Sequence, residues 1–133
     1  MAAGIKVLVI DDDQDFRASL RPVLETRGYT VIEADSGEEG LRKLVEQRPN
    51  VIILDIMMES SAEGYGVTQA IKWQEAYRDF RETPILMVSS IQESPDERFP
   101  MASEVDMIRP DTYLSKPLNI PRFLEVLEKA AAP

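Results

Sequence analysis

The chain predicts an α/β fold, a doubly wound, five-stranded parallel sheet with helices on both faces. Short apolar segments of strand character alternate with helix-period segments five times, the pattern of linked βα units. Two of these segments, Ile5–Ile10 and Val51–Leu54, are apolar or nearly so along their whole length. Strands of that kind are covered on both faces, as in a parallel sheet packed between helix layers. Right-handed crossovers then distribute the helices over both faces. In the common order 2-1-3-4-5, strands one and three lie side by side where the winding reverses, and ligands bind beyond the carboxyl ends of the strands there.

The elements follow in order. IKVLVI (residues 5–10) is the first strand and ends in Asp11-Asp12-Asp13. Gln14 to Arg27 carries Phe16, Leu20, Val23 and Leu24 at helical spacing and closes at Gly28; Asp13 is its expected cap. Pro22 is expected to kink this helix or to mark its early turns. YTVIEA (29–34) is the second strand, and Ser36 with Glu39 forms a capping box for a helix with inward face Leu41, Leu44 and Val45, ended by Pro49. Val51–Leu54, three of its four residues β-branched, is the central strand and stops at Asp55. A loop from Met58 to Gly66 precedes a helix over about 67–80, marked by Ala70, Ile71, Gln74 and Tyr77. Pro84–Val88 is the fourth strand, ending at Ser89-Ser90. SPDERFP (94–100) is a loop, and Met101, Val105 and Ile108 mark a short helix stopped by Pro110. DTYLS (111–115) is the fifth strand, followed by Lys116-Pro117. Asn119 caps a last helix carrying Ile120, Phe123, Leu124 and Leu127.

Composition narrows the function. A length of 133 residues suits one domain with a core of its own. With no Cys, disulfides, thiolate catalysis and Cys-bound zinc are excluded; with no His, so are histidine bases and histidine metal ligands on this chain. Asp+Glu 24 against Lys+Arg 15, a net charge of −9, speaks against direct nucleic-acid binding. No apolar run approaches a membrane span and no signal pattern opens the chain, so a cytoplasmic protein without membrane attachment is expected.

The chemistry is expected at the strand ends. Asp55 taken alone could simply open the following loop. The fold, however, gathers Asp11, Asp12 and Asp55 at one edge. Two carboxylates about 4 Å apart repel by roughly 4 kcal/mol at a surface-like dielectric, so three ionised together require positive charge. All-oxygen ligands select a hard cation, and Mg²⁺ fits best. Lys116 brings an ammonium to the same edge and Ser89 a hydroxyl. A carboxylate nucleophile, a metal, an ammonium and a hydroxyl together suit phosphoryl transfer to Asp55 as an acyl phosphate. Asp11 and Asp12 are then metal ligands.

From about Ile5 to Ala130, the segments VLVIDDD, VIILDIMM, PILMVSS and YLSKPL, in that order, resemble the receiver domain of the two-component response-regulator family. The resemblance implies the flavodoxin-like order 2-1-3-4-5, with Asp55 as the phosphoacceptor taking its group from a phosphohistidine on a sensor histidine kinase or histidine phosphotransfer protein. It implies Mg²⁺ bound directly by Asp12, largely through water by Asp11, and by the Met57 backbone carbonyl. Ser89 would be the switch hydroxyl, Tyr113 the switch aromatic, and Lys116-Pro117 a cis peptide. The domain would occupy 1–133 without an output domain in the chain, as a single-domain regulator or part of a longer protein; a downstream target or output domain would lie elsewhere. It implies no enzyme in the ordinary sense, at most slow autophosphorylation from small donors and autodephosphorylation.

Several positions depart from the family. Glu59 stands where Pro is common, in a loop to Gly64 expanded by a residue. Ser89 replaces the more usual Thr, Arg109-Pro110 replaces a Gly-Ala pair, and Pro95 and Pro100 shorten or displace the helix between them and Pro110. Trp73, Tyr77 and Phe80 extend the preceding helix, either as core or as an apolar surface for a partner. Two other readings compete. One is a phosphohydrolase resembling the haloacid-dehalogenase family, with Asp11 as nucleophile and Asp13 as acid/base. The other is an unphosphorylated pseudo-receiver that serves as an interaction module.

Overall fold

A computed structural model describes residues 4–55, 63–89 and 112–132, with 63–65, 89, 112 and 113 described by backbone alone. Five strands, β1 (Lys6–Ile10), β2 (Thr30–Ala34), β3 (Val51–Asp55), β4 (Ile85–Ser89) and β5 (Thr112–Ser115), form one sheet in the order β2-β1-β3-β4-β5. Every pairing is parallel. The helices are α1 (Gln14–Thr26), α2 (Gly37–Gln47), α3 (Glu63–Trp73) and α4 (Ile120–Ala131), with a 3₁₀ turn at Glu75–Phe80.

Alternation along the strands divides the core. Leu8, Ile10, Ile52, Leu54, Ile85 and Met87 face one layer, with Leu44 of α2, Val67 and Ile71 of α3, and Phe80. Val7, Val9, Ile53, Leu86 and Val88 face the other, with Leu20 and Leu24 of α1 and Phe123 and Leu127 of α4. All five residues of β3 are buried, as expected for a strand covered on both sides. The expected caps are present. Asp13 Oδ1 accepts from the amides of Asp15 and Phe16, and Asn119 Oδ1 from that of Arg122. Ser36 Oγ accepts from the Glu39 amide, while the Glu39 carboxylate reaches back to the amide of Asp35. Gly28 closes α1 at φ +90, a backbone conformation that glycine adopts without strain.

Four expectations need correction. Pro22 does not mark an early turn: it lies mid-helix and exposed, and α1 runs through it to Thr26, the burial of Leu20 and Leu24 on either side outweighing the lost amide. Val45 is half exposed, and the inward stripe of α2 is Gly37, Gly40 and Leu44, with Leu41 at its edge. α3 begins at Glu63, before the expected loop ends, so Gly64 and Gly66 are helical; packing of Val67, Thr68, Ala70 and Ile71 overrides their weak propensity. The helix expected to continue to Phe80 breaks at Gln74, whose backbone is extended (φ −81, ψ 136). The break has a geometric cause: at 100° per residue a continuous helix would turn Phe80 about 180° away from Ile71. The 3₁₀ turn instead returns Phe80 to the same core layer as Ile71, with Tyr77 against it, while Trp73 stays 56% exposed. The expected short helix at 101–108 and the loop at 94–100 lie outside the described residues, as does position 59.

Gly40 lets α2 approach β1 closely. A Cβ there would fall 2.5 Å from Cδ1 and 2.8 Å from Cγ1 of Ile10, itself 1% exposed. Gly40→Ala therefore destabilises the domain by about 1–3 kcal/mol in urea unfolding, the usual cost of overpacking, although Ala favours a helix by about 1 kcal/mol.

Candidate functional site

The site is built at the carboxyl edge where the winding reverses. From β1 the chain moves out to β2 and returns to β3 on the other side, so β1 and β3 are neighbours. Ile10 pairs with Leu54, which brings the next residues, Asp11 and Asp55, to the same level. Asp11 is held there by its amide, which donates to the Ala34 carbonyl at 3.0 Å. It is 1% exposed and Asp55 5% exposed, while Asp12 faces solvent. One carboxylate oxygen from each of the three lies within 4.8 Å of the others.

Lys116, just past β5, answers the charge of the two buried carboxylates. Its Nζ is 2.9 Å from Asp11 Oδ2 and 3.9 Å from Asp55 Oδ1, so it hydrogen-bonds the first and forms an ion pair with the second. The Lys116-Pro117 peptide is cis, as the resemblance implied. Asp11 Oδ1 accepts from the Asp13 amide at 2.9 Å. Ser89 ends β4, one residue beyond Val88, the partner of Asp55, and Tyr113 lies in β5 opposite Met87. The side chains of Ser89 and Tyr113, and Met57 altogether, lie outside the described residues.

The donor set suits a small hard cation. Three carboxylates without nitrogen or sulfur are the ligands of Mg²⁺ or Ca²⁺. Oxygens on one octahedral Mg²⁺ lie within about 4.2 Å of each other, close to the spacing found. Because both Asp11 oxygens already have partners, exposed Asp12 is the more available direct ligand.

Support for Asp11 comes from residues to which the sequence reading gave no role. The Arg17 guanidinium donates to the Asp11 carbonyl through Nη1 and to Glu33 Oε1 through Nε at 2.9 Å. Arg21, one turn on, donates to Glu33 Oε2 at 2.8 Å, and the Lys43 ammonium donates to the Glu33 carbonyl. A lone acid in β2 and two arginines four residues apart on the preceding helix were the available signal. Phe16, on the periodic face of α1, packs against the core and also has its ring centroid 4.2 Å from Lys116 Nζ.

The family model of the response regulator receiver domain matches residues 7–128. The chain belongs to the response regulator receiver domain family. Receiver domains are phosphorylation-dependent signalling switches of two-component systems, and are generally signalling domains rather than enzymes. This one is 35% identical to Protein PilG of Pseudomonas aeruginosa over 94% of this chain and 86% of that one. It is 36% identical to the probable transcriptional regulator ycf27 of Guillardia theta over 94% of this chain, which spans only 44% of that protein's length. The receiver also superposes on the chemotaxis protein CheY4 of Vibrio cholerae with a TM-score of 0.78 at 31% identity, covering 96% of this chain and 99% of that one. None of the described helices is long and apolar enough to cross a membrane.

The phosphohydrolase reading is not favoured. It requires Asp11 as nucleophile and Asp13 as acid/base, but both Asp11 oxygens are engaged and Asp13 Oδ1 caps α1.

The hydrogen bond from Arg21, with further help from Arg17, holds the Glu33 carboxyl below its ordinary value of 4.5 despite partial burial. A carboxyl depressed in the folded state takes up a proton on unfolding as pH falls, so its contribution is present above about pH 4.5 and lost below. The stability difference between wild type and Glu33→Gln should therefore be flat above about pH 5 and shrink as pH falls through the depressed value, measured by urea unfolding across pH.

Proposed function

We propose that Asp55 is the phosphoacceptor of this receiver domain, taking a phosphoryl group from a phosphohistidine on a sensor kinase or histidine phosphotransfer protein. The observation that carries this reading is the approach of Lys116 to both Asp11 and Asp55 at the edge where the three carboxylates gather. An Asp55 oxygen attacks phosphorus as the P–N bond to the donor imidazole breaks. The electron pair stays on the imidazole nitrogen, and the product is an acyl phosphate on Asp55. Mg²⁺, held by Asp12, through water by Asp11, by Asp55 and by the Met57 carbonyl, would neutralise charge on the transferring phosphoryl oxygens.

The protein's own groups do the rest. Asp55 is placed by a strand buried on both faces, which fixes the nucleophile without ordering a loop. Lys116 offers a preorganised ammonium to the incoming group. Ser89 is assigned the hydroxyl that moves onto the phosphoryl group and Tyr113 the ring that follows it, carrying the change toward β5. Attack of water on the acyl phosphate returns the Asp55 carboxylate and releases inorganic phosphate. The kinase, the downstream target and a cytoplasmic setting belong to this reading, as does a domain occupying 1–133.

Incubation with acetyl phosphate and Mg²⁺, followed by intact-mass measurement, should give one phosphoryl adduct that is absent from Asp55→Asn and lost when EDTA is added beforehand. Lys116→Met should slow adduct formation by roughly a hundredfold, the effect of removing one preorganised charge-stabilising group. An adduct that persists in Asp55→Asn would refute the assignment. No adduct, together with an NMR spectrum indifferent to beryllofluoride and Mg²⁺, would make the domain a pseudo-receiver.

A further inference from the structure

Lys116 has a third neighbour besides the two carboxylates. Its ammonium sits 4.2 Å from the centroid of the Phe16 ring, within the range at which a cation is drawn to an aromatic face. The Lys116 side chain is 19% exposed, so the contact is largely shielded from water, where such attraction is strongest. The ring is placed by the same residues that build the site. Asp13 donates its amide to Asp11 Oδ1 and accepts the Phe16 amide on its own Oδ1, at 2.9 and 3.2 Å. Lys116 then joins the Phe16 ring back to Asp11 Oδ2. The result is a closed circuit of contacts, Asp11–Asp13–Phe16–Lys116–Asp11.

A lysine stem with four rotatable carbons is entropically costly to fix on one carboxylate. The attraction of a ring face differs from a hydrogen bond in having no preferred donor direction in the plane of the ring. An ammonium seated on it can tilt from one acceptor toward another and keep the contact. Here the two acceptors are Asp11, at hydrogen-bond distance, and Asp55, about one ångström farther.

We propose that Phe16 is a positioning residue, its ring face being the seat on which the Lys116 ammonium pivots from Asp11 toward a phosphoryl group on Asp55. The inference rests on the reading of Asp55 as phosphoacceptor, and its experiment has one arm that does not. In that arm, NMR of the wild-type protein should show the Lys116 Hε protons shifted upfield by the Phe16 ring current, and the shift should vanish in Phe16→Leu. Absence of the shift in the wild type overturns the proposal, whatever happens at Asp55.

In the kinetic arm, Phe16→Leu should slow adduct formation from acetyl phosphate at saturating Mg²⁺ by about three- to thirtyfold, and Phe16→Tyr and Phe16→Trp, which keep a ring face, should restore the rate to within about twofold. Thermal midpoints of all variants separate this from lost packing, and Phe16→Met serves if the leucine variant does not fold. A Phe16→Leu or Phe16→Met protein that is phosphorylated at the wild-type rate overturns the proposal. So do ring-bearing variants as slow as leucine, since packing alone would then explain the effect. A wild-type protein that takes no adduct counts against Asp55, and the ring-current arm still decides whether Phe16 is the seat.

Discussion

One ammonium between two buried carboxylates is the interaction on which the site depends. Asp11 and Asp55 are almost fully enclosed, and like charges that close repel by several kcal/mol at the effective dielectric of a protein surface. Without a cation among them, that repulsion would push the ends of β1 and β3 apart. Lys116 supplies that charge from 105 residues along the chain from Asp11, so the site exists only when the last strand has docked. The same arrangement leaves charge to spare. Among the described residues one ammonium faces three carboxylates, and the remaining negative potential suits a divalent cation.

The scaffold is stiff where the chemistry is. β3 is covered on both faces, β1 is its neighbour in register, and Asp11 is tied by its amide to β2 and by its carbonyl to Arg17. Glu33 on the edge strand gathers Arg17, Arg21 and Lys43, fastening α1 and α2 to β2 beside the site. Such exposed and half-exposed ion pairs contribute little individually, but a shared acceptor lowers the entropic cost of each additional partner. Fixation of this kind holds Asp11 and Asp55 in place without ordering a loop.

Departures from simple periodicity occur away from that edge. The end of α3 shows the physics most clearly. Nine residues of continuous helix separate Ile71 and Phe80 by half a turn, so both can enter one core layer only if the helix breaks, as it does at Gln74. Arg48, with a left-handed backbone at the end of α2, stacks its guanidinium 5.1 Å from the Phe80 ring and covers the re-aimed aromatic. Trp73, which faces outward in either geometry, remains exposed.

What the amino-acid order determined by itself was the strands, the caps and the residues that end each strand, which depend on local pattern and short spacing. The apolar runs at 5–10 and 51–54, the carboxylates that stop them, the caps at Asp13, Ser36 and Asn119, and the lysine before Pro117 could all be read because each is a statement about neighbours in the chain. Strand alternation then brought Asp11, Asp12, Asp55 and Lys116 to one edge without reference to coordinates. Only the folded structure decided which side chains meet across that edge. That Lys116 hydrogen-bonds Asp11 rather than Asp55, that Phe16 lies beside it, that Arg17 and Glu33 brace the turn, and that Val45 faces water while Gly40 is pressed against Ile10 are all contacts between elements far apart in sequence. Their distances are set by helix–sheet packing to within an ångström, and no periodicity along the chain encodes that.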